Sequence, residues 1–426
     1  MRKFFIVVTT LLLVSGGIYA GFIMNRSGSE GNNPKVVENQ KQDLPEVDKQ
    51  EKDEIEVKIS AVGDILIHQT QLDSQYDKVT KKYDFKNNFK YVKPYIKSAD
   101  LAIANLETTL SKDEKSFKGY PVFISPGSIV DALIDTGFNL LTLSNNHIMD
   151  GGTKGFFSTQ QIIKEKGIDY IGIRESVNKK SYIVKEIKGV RIGISNYTFE
   201  TPRSNGFKTI NSQRVDKSIE NLIDSFNGTS LKNDLAKMED RIKQMKAEGA
   251  EVIVFNMHWG EEYSRKPNNT QKEIAKKLSD MGVDIIFAGH PHVLQPIEFI
   301  KSQKDDRETL VVYSMGNFIS NQRSEILKQP YGEDGIIVNI TIKKNLKNNK
   351  VTLGELSYVP TWVNRYENKE NFVYEIVPLT DGLKNTLSYN LVSDEAKQRA
   401  KKSEQNTLEI IENSSSKLVI APSIGN

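Results

Sequence analysis

The 426-residue chain has no cysteine. Disulfides, thiolate metal ligands and a cysteine nucleophile are therefore excluded. A chain this long needs no such staples, because one large or two medium domains bury a sufficient core. Charge of one sign is lacking too: 58 basic residues against 55 acidic ones leave a net charge of +3. Nucleic-acid binding wants a concentrated basic field, so no nucleic-acid partner is expected. Histidine is scarce. The five are His68, His147, His258, His290 and His292, and each lies just beyond an apolar, strand-like run.

The N-terminus carries a long uncharged run, Phe4 to Met24, preceded by Arg2 and Lys3 and followed by Asn25 and Arg26. Roughly 20 apolar residues cross a bilayer. The basic flank favours an N-terminus kept in the cytoplasm and a body outside. The rival is a cleaved signal peptide, but Ile18-Tyr19-Ala20 is a poor small-x-small site, so an uncleaved anchor is favoured. The expected localisation is the cell membrane, single-pass, with an extracytoplasmic body. From Ser27 to about Glu56 the chain is polar and nearly free of large apolar residues, which reads as a disordered stalk. The expected organisation is a cytoplasmic tip and anchor at 1–26, a disordered linker at 27–56 and the main domain at 57–345. Strands and helices packing on that domain, with a frayed end, make up 346–426.

From Val57 onward, strand and helix patterns alternate. Strands are expected at Val57 to Val62, Leu101 to Ala104, Leu140 to Leu143, Val190 to Ser195, Glu251 to Phe255 and Val283 to Phe287. Helices are expected over Phe85 to Ser98, Ser128 to Thr136, Phe156 to Lys166, Lys232 to Glu248 and Gln271 to Met281. Gly137, Gly167, Gly249 and Gly282 stand at helix ends, as C-terminal caps should. Later strands, Val293 to Phe299, Leu310 to Ser314, Gly335 to Ile342, Val351 to Tyr358 and Val373 to Leu379, come without intervening helices. Leu383 to Lys402 and Leu408 to Glu412 read as polar helices. This pattern argues for an α/β fold with a mainly parallel central sheet, on which the later strands pack as a second sheet.

Five strand ends carry polar side chains. They bear Asp64 with His68, Asn105 with Glu107, Asn145-Asn146-His147, His258, and the pair His290 and His292. Ligands in open α/β sheets bind beyond the carboxyl ends of strands. In Gly289-His290-Pro291-His292, residues i and i+2 face the same way if extended geometry persists. Imidazole, carboxylate and amide oxygen together suit a divalent ion such as Mn, Fe, Zn or Mg, and the donors suffice for two ions sharing a carboxylate. Each piece has a plainer reading. His258 before Trp259 fits a half-buried structural histidine, Asp64 a turn cap, Asn145-Asn146 ordinary loop chemistry and Glu107 a helix start. Five coincidences of one kind outweigh them. Glu261, with Glu262, fits the mouth of such a site better than its floor.

Several motifs together resemble the calcineurin-like metallophosphoesterase superfamily and, within it, the CapA family of capsule-synthesis proteins. They are Ala61-Val62-Gly63-Asp64, Ala104-Asn105-Leu106-Glu107, Leu143-Ser144-Asn145-Asn146-His147, Asn256-Met257-His258-Trp259-Gly260-Glu261-Glu262-Tyr263, Gly289-His290-Pro291-His292-Val293-Leu294-Gln295 and Tyr313-Ser314-Met315-Gly316-Asn317-Phe318. The resemblance implies a four-layer α/β/β/α metallophosphoesterase-like sandwich, preceded here by the transmembrane helix and disordered stalk. It also implies one metal held by Asp64, His68, Glu107 and His292. Glu107 would bridge to a second metal, held with Asn146, His258 and His290. His147 would face the substrate as general acid or charge stabiliser, with Asn105, Asn145 and Asn317 lining the site. The chain departs from the superfamily pattern twice. Three residues separate Asp64 from His68 where Asp-x-His is usual, and Asn105-Leu106-Glu107 replaces Gly-Asp-x-x-Asp. A single metal, weaker binding, or Asn105 in place of Glu107 all stay open.

The role implied is that of a membrane-anchored extracellular component of poly-γ-glutamate capsule synthesis or export. Its partners would be the polymer and the membrane synthase and export subunits. Two rivals are a non-catalytic subunit that holds polymer carboxylates, and a general metal-dependent phosphoesterase or other hydrolase.

Overall fold

A computed structural model describes residues 53–426, apart from 369–370, 381–388, 390, 392, 412–413, 415–417, 422–423 and 425–426. The expected anchor at 4–24 and nearly all of the stalk lie outside the described residues. Among the described residues no helix is long and apolar enough to cross a membrane.

Alternating apolar residues build the first sheet. Its early strands are β1 (Glu54–Ile65), β2 (Leu101–Leu106), β3 (Leu140–Thr142) and β4 (Asp169–Ile171). The chain then crosses to a second sheet made of β5 (Val190–Phe199), β6 (Val252–His258), β7 (Ile285–Gly289) and β8 (Glu308–Val312). It returns to the first sheet as β9 (Asp334–Asn345), β10 (Val351–Glu367) and β11 (Phe372–Pro378). The first sheet runs β11-β10-β9-β1-β2-β3-β4, and the second keeps β5-β6-β7-β8 in sequence order at its centre.

The expected single parallel sheet with the late strands stacked upon it is therefore corrected. The parallel strands divide between two sheets; of the later strands, Ile297–Lys301 and β8 join the second, and β9 to β11 extend the first by antiparallel pairing of β9 with β1. Strand pairing is a long-range choice, and both placements bury the same apolar residues. Ile59, Ala61, Leu101 and Ile103 of the first sheet meet Ile192, Val254, Ile285 and Phe287 of the second in one buried layer. Helices cover both outer faces. On the first, α1 (Ser128–Thr136) and α2 (Gly152–Lys166) pack with Leu133 and Phe156 buried. On the second lie α3 (Leu231–Ala247) and α4 (Asn269–Met281), burying Ile242 and Leu278. Each such side chain contributes about 1.5–3 kcal/mol on leaving water.

Local signals placed the helix ends well. Gly137, Gly167 and Gly282 take left-handed conformations at the ends of α1, α2 and α4, which a Cβ would disfavour. The helix expected over 85–98 is instead two short ones, Lys86–Phe89 and Lys93–Lys97. Pro94 lacks an N–H and disfavours helical geometry in the residue before it. The strand expected from Val293 begins at Ile297. One helix, α5 (Asp394–Ile411), covers the end of the helix expected over Leu383 to Lys402 and nearly all of that over Leu408 to Glu412; residues 383–388, 390 and 392 lie outside the described residues.

Register brings the strand ends level. Asp64 pairs with Asn105, and Asn105 with Thr142, in the first sheet. Thr198 pairs with His258, and His258 with Gly289, in the second. The two rows meet at Gly289, where an added Cβ would stand 2.3 Å from Asp64 Oδ1. Only glycine permits that approach.

Candidate metal centre

Both carboxylates at this junction are fully buried and face imidazoles. Asp64 Oδ2 lies 3.2 Å from His292 Nδ1, and Asp64 Oδ1 lies 4.0 Å from His258 Nδ1. Glu107 Oε1 lies 3.4 Å from His258 Nε2 and 3.9 Å from His292 Nε2. The rings of His258 and His290 are 4.9 Å apart, and those of His290 and His292 are 5.8 Å apart. Two sets of ligand atoms lie within 4.8 Å of one another: Glu107 with His290 and His292, and Asp64 with Glu107 and His258. Both sets share Glu107; His290 and His292 fall in one set and Asp64 and His258 in the other.

His290 and His292 do not keep extended geometry. Their φ angles are 93° and 57°, in the left-handed region that side chains other than glycine enter at a cost. β7 ends at Gly289, and Pro291 restricts the turn, so the bend rather than strand alternation turns both rings inward. The backbone N–H of His290 donates to Asp64 Oδ2 at 2.9 Å, tying this bend to β1. Asn317 anchors His292. Its Nδ2 faces His292 O and Gly332 O, both pure acceptors, which leaves Oδ1, at 3.1 Å, to accept from His292 Nδ1–H. His292 Nε2 is then the nitrogen left for a ligand, the arrangement that second-layer partners give metal-binding histidines.

Asn105 sits within the second donor set. Its Nδ2 lies 2.8 Å from Asp64 Oδ1, 3.4 Å from Glu107 Oε2 and 3.4 Å from His258 Nδ1. Its Oδ1 accepts from Asn145 Nδ2 at 3.1 Å and Thr142 Oγ1 at 3.3 Å. Asn146 Oδ1 lies 2.8 Å from His258 Nε2. Two buried polar atoms of the cluster have no hydrogen-bond partner: Glu107 Oε1 and His290 Nδ1. Orphaned atoms of this kind cost about 1–3 kcal/mol each, so the donor chemistry fits a bound cation.

Electrostatics agree. Burial and then the charge of Asp64 push the Glu107 carboxyl well above its ordinary range. Burial alone would raise Asp64 as well. The His292 hydrogen bond and the His290 N–H outweigh it and hold Asp64 low. Burial pulls His258 down to about 3 and His290 well below its ordinary value, so both stay neutral, as metal-ligating imidazoles must be.

His147 stands beside this cluster on a loop of its own. Its Nδ1 lies 2.7 Å from Asp150 Oδ2, and its ring packs edge-on against Phe123 at 4.7 Å. Asp150 Oδ2 also accepts the Phe123 N–H at 2.6 Å, while Oδ1 accepts from Gln213 Nε2 at 2.8 Å. Asp150 therefore fixes the ring and leaves Nε2 as its free nitrogen. Asp150 was not among the expected site residues. Its i+3 spacing after His147 was the available signal, and Gln213, 63 residues further on, gave none. Asn145 braces this loop: its Oδ1 accepts His147 N–H, and its Nδ2 donates to Leu106 O at 2.9 Å.

Two expected residues stand apart. His68 precedes the short helix Gln69–Gln75, is half-buried and belongs to neither donor set. Its Nδ1 lies 3.2 Å from both Asn321 N–H and Gln71 Oε1, and its ring packs edge-on to Phe123. Glu261 is exposed and meets Asn268 Nδ2 at 3.5 Å.

Residues 58–322 match the family model described as bacterial capsule synthesis protein PGA_cap. A capsule biosynthesis protein CapA of Bacillus anthracis is 30% identical over 269 residues, 62% of this chain and 60% of that protein. A PGA biosynthesis protein CapA of Bacillus subtilis (strain 168) is 29% identical over 290 residues, 67% of this chain and 68% of that protein. Among solved structures, the calcineurin-like phosphoesterase YfkN of Bacillus subtilis overlays with a TM-score of 0.42 and 15% identity, covering 84% of this chain and 98% of that one. So loose an overlay carries no argument.

Proposed function

The chain belongs to the bacterial capsule synthesis family PGA_cap, and from that premise we propose that it serves in poly-γ-glutamate capsule synthesis as a membrane-anchored, outward-facing component. Its buried donor cluster holds a divalent cation, and the chemistry there acts on the polymer or its activated precursor. The observation that carries this reading is the grouping of buried Glu107, His290 and His292 with ligand atoms within 4.8 Å of one another, where Glu107 Oε1 and His290 Nδ1 make no hydrogen bond.

Glu107, His290 and His292 would hold the cation, with His258 and Asn146 beside them. Bound there, a cation such as Mn, Zn, Fe or Mg supplies positive charge that polarises an acyl or phosphoryl oxygen and favours ionisation of a water molecule. The protein's own contribution comes from neighbouring groups. Asp150 fixes His147 so that its Nε2 can give a proton to a leaving group or take one from a nucleophile. Phe123 covers one side of that imidazole and limits water there. The left-handed turns at His290 and His292 hold the ligands in place before any substrate arrives.

The full chain, in detergent, would be assayed with Mn, Zn or Mg against phosphoesters and against poly-γ-glutamate, beside a deletion strain whose capsule polymer is measured. The expected result is loss of capsule in the strain and metal-stimulated turnover that His147→Ala abolishes while metal stays bound. Polymer binding without turnover would support the holding subunit instead. Phosphoester turnover with unchanged capsule in the deletion strain would overturn the capsule role.

A further inference from the structure

From the amide network around Asn105 we infer that this chain takes a single cation, held by Glu107, His290 and His292, because the Asn105 side chain fills the other donor set. The inference rests on the reading above that the cluster is a metal site. It concerns how many ions that site admits.

The argument turns on which way the Asn105 amide faces, and backbone groups decide it. The N–H of His147 can only donate, so the atom of Asn145 that it meets is the oxygen. Asn145 Nδ2 is then the atom that reaches Leu106 O, a pure acceptor, and also Asn105 at 3.1 Å. The Asn105 atom receiving that N–H must be its oxygen. Its nitrogen therefore points into the space between Asp64, Glu107 and His258, at 2.8, 3.4 and 3.4 Å. An amide nitrogen has two protons and no lone pair to offer a cation. It satisfies Asp64 Oδ1 as a cation would, without a charge.

His258 completes the pattern. With Nδ1 facing the Asn105 N–H, its proton is on Nε2 and goes to Asn146 Oδ1 at 2.8 Å. Asn105 and Asn146 thus give Asp64 Oδ1 and His258 their hydrogen bonds. Glu107, whose Oε1 lacks one, is common to both sets, whereas His290 Nδ1, also without one, belongs to the Glu107–His290–His292 set alone. Asp64 accepts from Asn105 Nδ2 and the His290 N–H and lies 3.2 Å from His292 Nδ1, so it stands behind the ligands.

The full chain in detergent would be stripped with a chelator and dialysed against Mn, its bound metal counted by plasma emission and its Mn paramagnetic resonance recorded. One Mn per chain with an uncoupled six-line spectrum is expected. Asn105→Asp replaces the amide by a carboxylate and should raise the count to two, with a spin-coupled signal. Asn105→Ala, which adds no charge to the cluster and so guards against misfolding, should also exceed one. Two coupled ions in the unaltered chain would overturn the inference, as would variants that both stay at one. No bound metal would remove its premise too. A capsule defect or its absence leaves the count unaffected, so failure of the capsule reading is separable.

Discussion

Two buried polar regions in this molecule are built on opposite terms. Behind β10, Arg323 is nearly inaccessible and lies 3.2 Å from Glu333, with its Nη1 donating to Val363 O at 2.5 Å. Trp362 Nε1 also donates to Glu333, and Arg399 of α5 bridges Glu333 and Glu325, which Arg365 meets at 2.6 Å. Positive and negative groups alternate there. In the donor cluster two carboxylates face three histidines, and no Lys or Arg is ion-paired with either acid among the described residues. The first region pairs its acids with guanidinium groups and fastens α5 to the sheet, although Arg323 Nε, 3.6 Å from Glu325, lacks a hydrogen bond. The second pairs its acids with imidazoles alone and leaves Glu107 Oε1 and His290 Nδ1 without hydrogen bonds, a donor set that suits a cation.

The sharpest way to break this contrast is to remove the acid the donor sets share. Glu107→Gln should lower divalent-cation affinity at least about 1,000-fold, beyond the 10–100-fold typical of second-layer changes, as measured by dialysis and plasma emission. In chelator the same variant should unfold no earlier than the parent chain, because it deletes a carboxyl whose ionisation burial already opposes. Earlier unfolding in chelator would mean that the cluster is a structural network like the other one. The reverse change belongs to the closed region. Burial lowers Arg323 to about 10, against the pull of Glu333, so it remains charged at neutral pH. Arg323→Ala leaves Glu333 buried with fewer partners and should cost about 3 kcal/mol in urea unfolding, with metal content unchanged. A cost under about 1 kcal/mol would mean that Arg399 alone closes the network.

Much of the donor cluster was legible because its residues sit where local rules operate. Asp64, Glu107, His258 and His290 each end an apolar strand run, and glycine caps marked the ends of three helices. What escaped depends on contacts between distant segments. The division of parallel strands between two sheets leaves the same alternating pattern in either arrangement, so periodicity was silent. Asp150 stands before two glycines in the sequence, and only the fold brings Phe123 and Gln213 to it. His68 sits at a strand end like the others, but the chain enters a helix there and turns its ring toward Phe123. The Arg323 network was invisible because its members, from 323 to 399, are joined only by packing.

Asp334 tests the boundary between the two regions, with the smallest expected effect. It begins β9, is 2% exposed and accepts from Asn406 Nδ2 of α5 at 2.9 Å. Burial raises its carboxyl to about 7, more than its hydrogen bonds lower it. The folded chain thus keeps a proton that the unfolded chain has released above about pH 4. Stability from this group is present in full below that pH and is lost as pH rises through about 7. Asp334→Asn imitates the protonated form. The stability gap between parent and variant should shift in the variant's favour by about 2 kcal/mol between pH 5 and pH 7, read by urea unfolding in chelator. Parallel curves would mean that the carboxylate is already matched by a cationic partner. Asp334 would then belong with Glu333, one residue away, rather than with the acids that the fold pairs with imidazoles alone.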